Sequence, residues 1–264
     1  MECHGCGSTN VNFDPKKRIL TCNTCGKVEY YTRATLNASG RVVYGKRNAI
    51  NFFTSGDFTS AQHYALDVLN VSVDHVPALY ILAFYNEFTA KRDGSLQEFF
   101  RKVKDVALEY DEVQDLRELF ITSASLLKYY EEDVIACMAA NMQAPEETQD
   151  LCEFIDKVCP YWIARRTSAT YLTPNLISYY KDLAGHCNIP KTCLALLKSI
   201  ETNPDSPYVG NSFYFREKTR YFYTDYVAPI GEIIQSMANQ GYRAKFWTAY
   251  EKLCRKYEND ASKG

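Results

Sequence analysis

Two cysteine pairs open the chain, Cys3-x-x-Cys6 and Cys22-x-x-Cys25, with fifteen residues (positions 7 to 21) between them. No other feature restricts the fold as tightly. Four thiolates at this spacing suit one tetrahedral zinc ion. A segment this short has no core of its own, so the metal's part is to hold it folded. Each pair is followed at once by a glycine, Gly7 and Gly26, able to take the left-handed backbone of a tight turn. The residues between have room for one short hairpin, turning near Asp14-Pro15-Lys16. Two disulfides are the competing use of four cysteines. The context opposes them, because the opening MECHGCG has neither a basic region nor an apolar run of the secretory kind. A site with four cysteine ligands is coordinatively closed, so the expected ion is single and structural, with no open position for water or substrate.

The run CHGCGSTNVNFDPKKRILTCNTCGKV resembles the zinc ribbon of archaeal and eukaryotic transcription factor IIB. The common features are the C-x-x-C-G-S start, an aromatic-Asp turn, a hydrophobic residue before the second pair, and C-x-x-C-G-x-V at the end. The resemblance covers about residues 3 to 30 and carries over the ligands Cys3, Cys6, Cys22 and Cys25. In that family the ribbon docks on RNA polymerase and does no catalysis, which implies a binding role. The tips offered for contact are Glu2, His4 and Gly5 on one knuckle and Asn23, Thr24 and Lys27 on the other. Lys16, Lys17 and Arg18 on the hairpin are candidate contacts to nucleic acid or to a protein partner.

Residues 1–33 are thus read as a zinc ribbon, 34–45 as a linker or a strand returning to it, and 46–264 as an α-helical, repeat-like domain. The fold class expected is mainly α: a small N-terminal β ribbon followed by an array of about ten to twelve helices, typical helix lengths setting the number. Helices are expected at 46–54 and 59–69, around a Ser55-Gly56-Asp57-Phe58 turn, with another beginning at Pro77. The Gly-Asp-aromatic-x-x-Ala block, with Ala61 as its small residue, resembles a tetratricopeptide-repeat turn, where two antiparallel helices cross closely. Ser95 and Glu98 read as a capping box. From Leu96 through Phe99, Phe100, Val103, Val106, Ala107 and Tyr110 the apolar residues recur at helical steps. Further helices are expected at about 112–128 and 131–142. Pro145, Pro174 and Pro190 read as first helical positions, Gly185 as a C-cap, and the last helix as 242–257.

Charge is unevenly spread. Residues 1–55 hold eight Lys/Arg against three Asp/Glu, residues 105–156 two against fourteen, and residues 157–264 fifteen against nine. The acidic middle reads either as solvated helix faces or as a surface for a partner or for the basic ribbon itself. The formal net charge of −2 gives no overall pull toward nucleic acid. A second basic-aromatic segment, 212–223, places Arg216, Lys218 and Arg220 among Phe and Tyr. That mixture serves single-strand binding, or equally a helix with an aromatic core side. The six other cysteines read as reduced core thiols. His186-Cys187 with Cys193 is too sparse for a second metal site, and His63 and His75 lack triad partners. No phosphate loop, nucleophile elbow or zincin motif occurs, so no enzyme is expected. No apolar run is long enough to span a membrane. The expectation is a cytoplasmic, non-catalytic adaptor that engages a protein through a helical surface, with nucleic-acid or transcription-machinery binding as the alternative. Oligomeric state is not legible.

Overall fold

The computed structural model describes residues 1–142, 145–164, 172–203 and 222–261. Twelve α-helices and one three-stranded sheet are found among the described residues, a mainly α chain with an N-terminal β part. The chain divides into two compact units, Met1–Thr122 and Ser123–Gly264.

In the first unit, β1 (Val11–Asp14), β2 (Ile19–Cys22) and β3 (Val28–Tyr30) form an antiparallel sheet in sequence order. Phe13 pairs with Leu20, and Leu20 with Glu29. The hairpin turns where the sequence places it. Asp14 Oδ1 accepts from the backbone N–H groups of Lys16 and Lys17, and Arg18 takes a left-handed φ of 55°. Alternation puts Leu20 and Cys22 on the buried face and leaves Val28 and Tyr30 exposed.

The segment expected as a linker is helical. Helix α1 (Arg33–Asn37) starts at Thr32, whose side chain accepts from the N–H of Thr35, and α2 (Gly40–Thr54) starts only three residues after α1 ends. Val42, Gly45, Ala49 and Phe53 form its buried face. Gly45, placed by the sequence in the linker, is here a contact residue. A Cβ at this position would lie 2.9 Å from Val68 Cγ2 of α3 (Phe58–Leu69). Phe52 stacks on Tyr64, and Phe53 meets Phe58 edge-on near the turn, so α2 and α3 run antiparallel along their length. Ala61 and Ala65 are fully buried on α3.

Helix α4 (Val76–Phe84) continues through a π-turn at Tyr85–Thr89 and is followed by α5 (Ser95–Val103) and α6 (Tyr110–Ser123). Their core is aromatic. Phe53, Tyr80, Phe84, Phe99, Phe100 and Phe120 pack at ring separations of 4.8 to 6.1 Å. The capping box at Ser95 does not form. Gly94 is the N-cap, Ser95 Oγ donates to the Arg92 carbonyl, and Glu87 accepts from the Leu96 N–H. The apolar stripe also stops at Val103, because the chain turns before α6 and leaves Tyr110 exposed.

The second unit contains α7 (Glu131–Asn141), α8 (Pro145–Ile163), α9 (Pro174–His186), α10 (Pro190–Thr202), α11 (Ala228–Gln235) and α12 (Gln240–Ala261). The three prolines do open helices, their missing N–H falling where no helical bond is due. Gly185 lies inside α9, and Cys187 caps that helix instead. Trp162 is buried and donates from Nε1 to the Ala124 carbonyl at 2.8 Å. Asp156 of α8 accepts from the Thr192 N–H at 2.7 Å. It thereby supplies the N-cap that α10, preceded by Ile189, lacks in its own sequence. Cys152 and Cys187, expected as reduced thiols, form a disulfide with Cα atoms 6.3 Å apart. Their 35-residue separation hides a closeness that only the packing of α8 beside the end of α9 creates.

Candidate metal centre

The two knuckles are built by backbone geometry. The Gly7 N–H donates to the Cys3 carbonyl at 2.8 Å and the Gly26 N–H to the Cys22 carbonyl at 2.9 Å. Both glycines have positive φ, 70° and 73°. These turns bring the sulfurs of Cys3, Cys6, Cys22 and Cys25 within 4.8 Å of one another. The pairs Cys3–Cys25 and Cys6–Cys22 are each 3.6 Å apart. A tetrahedron with metal–sulfur bonds of about 2.3 Å has edges of about 3.8 Å, so the set fits one ion. Cys3 and Cys22 are buried and Cys6 and Cys25 exposed.

The Cys25 backbone N–H leads in holding Cys22 down, to about 6. At Cys6 the Ser8 backbone bond favours the thiolate, but the sulfurs of Cys25 and Cys22 push the thiol up to about 12. Four crowded thiols cannot all ionise against one another, and a cation removes that conflict. The Gly5 N–H also donates to Cys3 Sγ at 3.3 Å.

Beside the cluster stands Glu29, which sequence reasoning passed over. Its carboxylate accepts from the His4 backbone N–H at 3.0 Å and from the Tyr31 hydroxyl at 3.3 Å. Lys27 Nζ is 3.2 Å away and His4 Nδ1 2.9 Å. The first knuckle is therefore tied to β3 by one side chain. The available signal was its place between Val28 and Tyr30, since alternation turns Glu29 away from their exposed face.

Within the first unit arginines tie neighbouring elements together, Arg33 of α1 to α6 and Arg18 of the ribbon to the loop before α4. Arg33 Nη2 lies 2.7 and 2.6 Å from the two Glu112 oxygens, and Nη1 donates to the Ala107 carbonyl at 3.0 Å. Arg18, a candidate contact from sequence, forms an ion pair with Asp74. Lys46 reaches Asp115 at 3.0 Å and also Asp111. Part of the acidic middle thus pairs internally, with α1 and α2 rather than with the ribbon's sheet. Lys16 and Lys17 are exposed, Lys17 loosely beside Asp14 at 3.8 Å. Arg216, Lys218 and Arg220 lie outside the described residues.

The other candidates stay apart from chemistry. Cys187 is in the disulfide and Cys193 packs its sulfur 3.9 Å from Met237 Sδ. The N-terminal four are the one group able to hold a metal among the described residues. His63 is exposed. His75 is wholly buried as the N-cap of α4, Nδ1 accepting from the Ala78 N–H at 3.3 Å, and burial drives it down to about 4. No described helix is long and apolar enough to cross a membrane. Compared with protein-family models, curated proteins and solved structures, the chain matches none.

Proposed function

We propose that Cys3, Cys6, Cys22 and Cys25 hold one structural zinc ion and that the protein is a non-catalytic cytoplasmic adaptor, gripping a protein partner through its helical surface. The observation that carries the adaptor reading is the exposure of large amphipathic side chains. Tyr30, Tyr44, Tyr110, Tyr129 and Tyr161 are 78%, 67%, 67%, 71% and 55% exposed. Tyrosine offers wide contact area with a polar tip and is enriched at protein interfaces. A closed four-thiolate site supports a structural rather than a reactive ion. The α2–α3 hairpin, with small residues where the helices cross, is read as a unit of tetratricopeptide type.

A second reading, nucleic-acid or transcription-machinery binding through the ribbon, is favoured by exposed Lys16 and Lys17 on the sheet that carries Tyr30. Affinity purification of zinc-loaded protein, with and without nuclease, separates the two. Recovery of a discrete protein that survives nuclease supports the adaptor. Loss of all recovery on nuclease treatment, with binding that falls steeply with salt, supports the second reading.

A further inference from the structure

The outward face of α10 carries an exposed leucine. Leu194 is 59% exposed, although it sits one helical turn from the rim lysines Lys191 and Lys198. On one side a cleft of about 620 Å³ runs between α10 and α12, lined by Leu194, Leu197, Ala249 and Leu253. On the other a second cleft, against the end of α8, is lined by Pro160, Ala164 and Ala195. Leu194 and Lys198 belong to both clefts, so the two form one track across α10. Lys191, Lys198 and Lys252 line the track, with Glu201 the opposing charge. None of the three lysines is in an ion pair among the described residues.

We infer that this track binds an acidic amphipathic helix of a partner protein, a reading that rests on the adaptor function above. The apolar lining calls for a stripe of leucine-like side chains, and the unpaired lysines for carboxylates beside that stripe. An extended peptide is disfavoured, because the one sheet among the described residues lies in the ribbon and the described residues of the second unit offer no strand edge to extend. Nucleic acid is disfavoured because no aromatic ring is among the described residues lining the track, and cations alone give no stacking platform.

The test uses the full chain, zinc-loaded, and a fluorescein-labelled synthetic helix of roughly eighteen residues with leucines at alternating third and fourth positions and flanking glutamates. The expected result is saturable binding, at least about tenfold weaker with Leu194→Glu and about threefold weaker with Lys198→Glu. Both positions are exposed, so the thermal midpoint should stay at the wild-type value, and Lys198→Glu carries the test if Leu194→Glu misfolds. A scrambled peptide of equal charge that binds as well overturns the inference, as does unchanged binding by both variants. Competition by oligothymidylate reassigns the track to nucleic acid, and no peptide binding at about 1 mM removes it. If the affinity-purified partner is still recovered with Leu194→Glu, the track fails while the adaptor reading stands. If no protein partner is recovered by the wild type, the adaptor reading itself fails.

Discussion

Glu112 is wholly buried, and desolvation raises its carboxyl above the usual range even with Arg33 against it. Its worth therefore lies in geometry. It accepts from the N–H groups of Val76 and Glu109 as well as from Arg33, joining α1, α4 and the start of α6. Glu112→Ala would leave the largely buried guanidinium without its partner, and a loss of about 3 kcal/mol is expected in urea unfolding. A loss under about 1 kcal/mol would mean that Asp74, 3.8 Å from Arg33 Nε, and the Ala107 carbonyl suffice to hold Arg33. His75 makes a separate prediction about pH. Its folded value of about 4 lies below the ordinary 6.5, so the unfolded chain binds the extra proton first. The stability tied to neutral His75 is present above about pH 6.5 and is lost as pH falls toward 4. His75→Gln should flatten that part of the acid unfolding profile, and an unchanged slope would assign the loss to other groups.

At the scale of elements, Gly45 shows how a close crossing is written. With 2.9 Å from its would-be Cβ to Val68 Cγ2, Gly45→Leu should push α2 off α3 and cost about 1–3 kcal/mol. Ala61→Trp, fully buried on the same pair, should act likewise. An unchanged melting temperature in both would argue against the tight hairpin. The Cys152–Cys187 bond closes a long loop of the second unit, where chain entropy makes a disulfide worth about 3–4 kcal/mol. Thiol labelling of the metal-free, denatured chain should count eight free cysteines out of ten. Ten labelled thiols would show the pair reduced in the purified protein.

For the whole molecule, metal analysis should return one zinc per chain, and Cys22→Ser should release it. Helical signal from the second unit, which shares no ligand with the site, should survive that loss. Collapse of all helical signal would show that the units fold together. In the first unit some loss is expected, since Arg18 ties the ribbon to Asp74 and a released ribbon no longer presents it there.

Sequence alone determined the four-cysteine cluster, the hairpin within it, the helical class and the helix-opening prolines. Each is local: a knuckle, a turn or a first helical position is decided by a few consecutive residues. Only the tertiary structure decided that residues 34–45 are helical, that Gly45 is a contact, that Asp156 caps a helix it does not belong to, and that Cys152 meets Cys187. It also decided that Arg18 faces Asp74 rather than an outside partner. These pairings join positions far apart in the chain, where periodicity carries no information. The choice among partners depends on which buried surfaces and charges packing leaves together.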